Sequence, residues 1–190
     1  MQLDIQLWIK SIWFALGITW AIGAFLTKRT ARVQTASSRL IQGGLAAGGF
    51  LLLFRPDMGI GLLGRRFLPD SAVAVYAGLA LTACGAALAV WARVFLGANW
   101  SATVTIKQDH AIIRSGPYAL VRHPIYSGFL LGMLGTAIAI GEVRGPIGLG
   151  MAFLGWWLKL RTEERFLTEQ FGTQYTRYQQ EVKALIPFVL

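Results

Sequence analysis

Five apolar runs, at residues 7–26, 40–54, 72–96, 124–140 and 146–158, constrain this chain more than any other feature. A hydrocarbon core about 30 Å thick needs roughly 20 helical residues, and fewer where flanking Lys or Arg side chains snorkel to water. The chain is therefore expected to be all-α: a polytopic integral membrane protein with about five transmembrane helices, in a single membrane domain over 1–190. Residues 1–96 would hold the first three spans and 97–190 the remainder. Only residues 141–145 separate the last two runs, so those two should form a tight antiparallel hairpin.

Of the 190 residues, 55% are hydrophobic and 14% charged, against about a quarter charged in a soluble domain. The 18 Lys and Arg outnumber the 9 Asp and Glu. A nucleic-acid partner is excluded by their distribution, because they lie between apolar runs and not along one polar face. Cys84 stands alone, which rules out a disulfide framework or a cysteine metal site and leaves a packing role. The first run is read as a retained span: Asp4 precedes it, and Thr27-Lys28-Arg29 stands where a signal peptide would have small residues. Lys28, Arg29, Arg32 and Arg39, with no acid among them, mark the first connection as cytoplasmic. The N-terminus should then lie outside, and the 97–123 connection and everything after Leu160 in the cytoplasm.

Gly44 and Gly48 have the spacing that permits close helix approach in lipid. Gly59, Gly61 and Gly64 match a nucleotide-loop pattern, but they follow a span and lack the acidic residue about 20 positions on. A flexible external loop is expected there. The segment 114–128 is different, for it gathers Arg114, Arg122, His123, Tyr118, Tyr126, Pro117 and Pro124 directly before a span. Pro124 suits the first turn of a helix, which would hold Arg122 and His123 at the membrane surface. A second polar cluster, Lys159, Arg161, Glu163, Glu164 and Arg165, follows the fifth run, and the hairpin should return it to the first cluster. Leu167, Phe171, Tyr175, Tyr178, Val182 and Leu185 then recur at helical spacing. They predict a C-terminal amphipathic cytoplasmic helix covering the site, with Gly172 a break and Pro187 its end.

From about Gly97 onward the chain resembles the isoprenylcysteine carboxyl methyltransferases, in particular their shorter prokaryotic members. The resemblance runs through NWS at 99–101, GPYALVRHPIYSG at 116–128, the pair Glu163-Glu164, and FGTQYTRYQQEVKALIPF at 171–188. It implies a five-helix core holding S-adenosylmethionine (SAM) between these segments, met by a lipid-accessible tunnel, in the inner membrane of a prokaryote. His123, Pro124, Tyr126, Glu163 and Glu164 would be cofactor residues, with Gly116, Tyr118 and Val121 lining the same cavity. Asn99 and Trp100 would meet the substrate. Four positions before the first glutamate, the family commonly has Arg, whereas this chain has Lys159 with Arg161 between. Either could be the site cation.

Methyl transfer from a sulfonium needs alignment and exclusion of water, and no metal. A carboxylate acceptor is already ionised at neutral pH, so Arg122, Lys159 or Arg161 would orient it. The expected partner is a lipophilic or prenylated molecule bearing such a carboxylate, reached from the bilayer. An amine acceptor, as in a phospholipid N-methyltransferase, would instead need Glu163, Glu164 or His123 to remove a proton. A nicotinamide-dependent sterol reductase has similar C-terminal motifs. A small transporter or scaffold is a further alternative, but it would be expected to carry ionisable groups within its spans.

Overall fold

A chain this apolar hides its backbone polar groups from lipid inside helices. The computed structural model describes residues 2–24, 30–33, 35–97, 105–107 and 112–190. In chain order these form α1 (Gln2–Ala24), β1 (Thr30–Val33), α2 (Ala36–Phe54), α3 (Ala72–Leu96), β2 (Thr105–Lys107), α4 (Pro124–Ile140), α5 (Arg144–Phe171) and α6 (Thr173–Glu181). Within α1 and α3, Ile5–Gly23 and Ala72–Leu96 are long and apolar enough to cross a membrane, and α4 is a shorter apolar helix. Large apolar side chains face outward along the bundle, Phe14 at 71% and Val73 at 80% exposure among them. Patches of that kind in water would drive association, whereas in lipid they are the solvent-facing surface.

The bundle is held by close backbone approach. α3 packs on α4 where Gly78 meets Gly135 and Gly85 meets Gly128 and Gly132: a Cβ on Gly85 would come within 2.3 Å of the Gly132 nitrogen. α2 packs on α5 in the same manner, through Gly49 against Gly148 and through Gly155 against the Gln42 carbonyl. The expected Gly44 and Gly48 pair is thus displaced by one position. A Cβ on Gly44 would meet open space, and one on Gly48 only the flexible end of Met151. Between α1, α3 and α4 a small polar network is satisfied internally: the Trp13 indole donates to Thr136 Oγ1 at 3.0 Å, and Thr136 donates to the Gly132 carbonyl at 2.9 Å.

Four expectations need correction. The helices are not the whole of the regular structure: among the described residues there is also an antiparallel ribbon, in which β1 pairs with β2. The ribbon draws the first and third connections to the same end of the bundle, the end that also carries residues 122–123 and 159–164. The glycine-rich segment 59–64 is not a loose loop. Val143 N–H donates to the Arg65 carbonyl at 2.9 Å and Arg144 N–H to the Leu63 carbonyl at 3.0 Å, so the segment is stitched to the α4–α5 hairpin. Gly64 lies so near Gly59 that a Cβ would fall 2.2 Å from its carbonyl oxygen. The fifth helix does not stop where its apolar run does, at Leu158: α5 continues through the charged cluster to Phe171. Gly172 breaks the helix at φ 52°, as expected, but α6 ends at Glu181 and not near Pro187. Beyond it, residues 182–184 turn extended because their backbone is engaged elsewhere.

Candidate active site

That engagement is what builds the site. Pro124 occupies the first turn of α4, where a missing N–H costs nothing, and His123 before it leaves the helical region at φ −124° and ψ 59°. The two backbone donors exposed by this turn are taken by the returning C-terminal segment. Arg122 N–H donates to the Lys183 carbonyl at 2.8 Å and His123 N–H to the Ala184 carbonyl at 2.9 Å. Ser127 Oγ adds a bond to the Leu185 carbonyl at 2.6 Å.

Against this turn lies the C-terminal half of α5. The Arg122 guanidinium places Nε 2.7 Å and Nη2 2.6 Å from Glu164 Oε1, and its Nη1 donates to the Gln179 and Val182 carbonyls. His123 Nε2 lies 3.1 Å from the same Glu164 oxygen, and Gln179 Nε2 donates to the other at 3.3 Å. Glu164 is therefore a fully engaged, largely covered carboxylate, 12% exposed. Burial alone would raise its pKa. The hydrogen bonds and positive charge of His123 and Arg122 together outweigh that and hold it below the usual carboxylate value.

Glu163 differs. It is 35% exposed and accepts one hydrogen bond, from Tyr126 Oη at 2.8 Å on Oε2, with His123 Nδ1 4.0 Å from that oxygen. Its Oε1 accepts no hydrogen bond from the described residues. The Tyr126 ring is sandwiched in a ladder, parallel to His123 at 5.5 Å and to Trp156 at 6.3 Å. The Lys159 ammonium sits over the Tyr126 ring, 5.5 Å from its centroid. Burial lowers the pKa of Lys159 and the charge of Glu163 partly restores it.

The other expected residues fall around this centre. Gly116, at φ 58°, closes against α3 so tightly that a Cβ would lie 2.4 Å from the Phe95 ring. Tyr118 is buried, donates to the Ala92 carbonyl at 3.3 Å, and receives the Tyr178 hydroxyl on its own carbonyl. Burial raises the pKa of Tyr118 and Tyr175, and pushes Tyr178 up to about 12, so all three phenols stay neutral. Val121 is buried and bridges to Lys183. Arg161 stands apart, its guanidinium 5.8 Å from the Trp157 ring on an exposed face. Asn99 and Trp100 lie outside the described residues.

Three contributors were not anticipated from sequence. Gln179 is legible only as part of the motif around it. Trp156 reads as one more apolar residue of a span. Gln42 on α2 is buried, donating to Ser38 Oγ at 2.8 Å and Thr162 Oγ1 at 3.4 Å. The single Thr162 proton is spent on the Leu158 carbonyl, so Thr162 must accept from the Gln42 amide nitrogen. This fixes the amide orientation and leaves Gln42 Oε1 without a partner among the described residues.

An apolar groove of about 500 Å³ on the lipid side is lined by Trp13, Phe14, Trp20, Phe50, Phe54 and Phe129. Its floor reaches the site through aromatic contacts: Phe129 lies 5.4 Å from Trp156, which stacks on Tyr126. The acceptor set suits a molecule with an amino group, hydroxyls and a positive centre. One carboxylate is already neutralised, a second has an open oxygen, and an aromatic ladder runs beside it.

A family model described as phospholipid methyltransferase matches residues 73–174. Among curated proteins, a probable protein-S-isoprenylcysteine O-methyltransferase of Oryza sativa subsp. indica is 31% identical over 117 residues, covering 60% of this chain and 61% of that protein. The protein-S-isoprenylcysteine O-methyltransferase of Schizosaccharomyces pombe is 33% identical over 101 residues, covering 52% and 43%. The match thus spans about three fifths or less of these relatives' length. Among solved structures, the eukaryotic intramembrane Ras methyltransferase ICMT (isoprenylcysteine carboxyl methyltransferase) aligns with a TM-score of 0.52 at 25% identity. That alignment covers 83% of this chain and 55% of that one. The resemblance read from RHPxY and the glutamate pair is borne out.

Proposed function

Because the chain belongs to the phospholipid methyltransferase family, whose model matches residues 73–174, we propose that it is an integral membrane enzyme that methylates a lipophilic acceptor from SAM. The family implies a methyl donor, and SAM supplies an electrophilic methyl on a sulfonium. The acceptor we assign is a prenylcysteine-like carboxylate, in keeping with the names of the curated relatives. The single observation that carries the reading is Glu163: a carboxylate with one oxygen fixed by Tyr126 and the other open, beside an aromatic ladder that leads to a lipid-facing groove.

In this reading α1 to α5 all cross the bilayer, with the N-terminus outside, the site at the cytoplasmic face, and the membrane the inner membrane of a prokaryote. Glu163 holds a donor group of the cofactor through its open oxygen, and Glu164 completes the same wall. His123, Pro124 and Tyr126 pack its aromatic portion, with Gly116, Tyr118 and Val121 behind them. Lys159 orients the acceptor carboxylate. It is favoured over Arg122, whose donors are already engaged by Glu164 and two carbonyls. Arg122 acts as a positioning residue that keeps Glu164 ionised and in place. Asn99 and Trp100 complete the substrate side, and the groove around Phe50 and Phe129 takes the apolar tail. Buried surroundings exclude water and strengthen each of these charges.

The family description favours a second reading, a lipid amine as acceptor, in which the open oxygen of Glu163 takes the amine proton. Incubation with methyl-labelled SAM, a prenylcysteine analogue and phosphatidylethanolamine separates the two. Label released by mild base from the prenylcysteine supports the carboxylate. Base-stable label in the phospholipid overturns it in favour of the amine, and label in neither overturns both.

A further inference from the structure

On the outer side of the Arg122–Glu164 pair, away from Tyr126 and Glu163, an open cleft of about 650 Å³ lies between α5, α6 and residues 189–190. Arg161, Arg165 and Lys183 line it together with Trp157 and Leu160. Arg122 also lines it, but its charge is spent on Glu164. Arg161, Arg165 and Lys183 have no carboxylate partner among the described residues. Glu169 is the other acid at the rim, so the cleft keeps a positive excess.

The cations sit at the end of an apolar strip. Along α5, Phe153, Leu154 and Leu158 are exposed, Phe153 stacks on Trp157 at 5.9 Å, and Arg161 covers Trp157 at 5.8 Å. Spacings of three and four residues put these groups on one helix face, which changes from hydrocarbon to cationic over two turns. The opposite wall is a short hook in which Leu185 and Ile186 N–H both donate to the Leu190 carbonyl, at 2.6 and 2.7 Å. That hook turns Phe188 outward, 95% exposed, with Ile186 and Val189 beside it. An apolar loop facing away from the bundle next to unneutralised cations has the chemistry of the acyl and headgroup boundary.

We propose that this cleft binds one anionic phospholipid, its phosphate held by Arg161, Arg165 and Lys183 and an acyl chain lying along Phe153 and Trp157. A soluble anion would use the cations alone and leave the strip and the hook unexplained. A lipid phosphate uses both. The site does not depend on the methyl-transfer reading. It adjoins the candidate active site only through the shared Arg122–Glu164 wall, and its readout is lipid binding, not turnover.

The test uses the full chain in mild detergent, titrated with fluorescent phosphatidylglycerol and, separately, with phosphatidylcholine. Phosphatidylglycerol should bind at least about tenfold tighter, and each cation removed should weaken it roughly fivefold. The triple variant Arg161→Ala, Arg165→Ala, Lys183→Ala should lose about a hundredfold, whereas Arg39→Ala, an exposed cation on α2, should lose little. A triple replacement by charge-retaining residues (Arg161→Lys, Arg165→Lys, Lys183→Arg) guards against misfolding and should stay within a few-fold of the parent. Equal binding of the two lipids, equal losses in the triple and Arg39→Ala variants, or complete displacement by millimolar inorganic phosphate would each overturn the proposal.

Discussion

The two ends of this bundle are built from the same parts and differ in what is left over. At the end away from the site, the Arg144 guanidinium reaches Glu142 at 2.6 Å and the Leu52 and Arg55 carbonyls at 2.8 and 3.1 Å, closing the C-terminus of α2. Arg66 meanwhile donates to the Ile140 carbonyl at 3.3 Å. At the site end, Arg122 ties Glu164 to two carbonyls of the α6 region in the same way. The first cluster is a clasp in which the charges serve the fold. The second is a clasp with an adjacent carboxylate, Glu163, that the fold does not consume. Clasped charge is common to both ends; unspent hydrogen-bonding capacity beside it is what sets the second apart.

Breaking the clasps tests this most severely. Arg122→Ala leaves Glu164 buried without its cation and should cost about 3–5 kcal/mol of stability, read by thermal unfolding, and should abolish binding of the methyl donor. Arg144→Ala should cost less, about 2 kcal/mol, since Glu142 is better solvated, and its folded fraction should keep full affinity. If both variants lose affinity equally, the two ends are not distinct in kind.

A sharper contrast comes from Glu163→Gln. Removal of a charge that the fold does not need should weaken donor binding by roughly 10–100-fold, about 1.4–2.8 kcal/mol, with the unfolding temperature almost unchanged. Tyr126→Phe should act in the same direction but less, by about 1 kcal/mol, seen as a few-fold rise in KM. A fall in kcat with KM unchanged would contradict the assignment of its hydroxyl to holding Glu163.

The smallest effect is expected in acid, because burial opposes the hydrogen bonds that set the Glu164 pKa. Its folded value lies below the unfolded one, so the stability it contributes is complete above about pH 4.3 and drains away as pH falls through the folded value. Urea midpoints measured downward from pH 6 should decline in the parent and decline less in Glu164→Gln. Parallel declines would assign the acid limb to other groups.

Much of the site was legible in the sequence because its signals are local. A proline in the first turn of a helix fixes the turn at His123, a short hairpin returns α5 to it, and Gly172 at positive φ ends that helix. What the sequence hid depends on pairing between distant segments. Residues 182–184 read as the end of an amphipathic helix, yet their backbone bonds to 121–123 outweigh helix formation. The ribbon of β1 and β2 is equally non-local, and so is the clasp that turned an expected loose loop at 59–64 into a fixed one. Helix contacts in lipid suffer from the same ambiguity: four glycines on α2 offer several faces, and only packing against Gly148 and Ala152 selects Gly49. The roles of Lys159 and Arg161 were undivided by spacing alone, whereas their directions separate them, one over Tyr126 and the other over Trp157.

The most direct measurement is calorimetric titration of the detergent-purified chain with SAM, run beside Glu163→Ala and Arg144→Ala. The account predicts stoichiometric binding to the parent, loss of binding in Glu163→Ala with its unfolding temperature preserved, and retained binding in Arg144→Ala despite its lower stability. Absence of binding to the folded parent, or undiminished binding to Glu163→Ala, would contradict it.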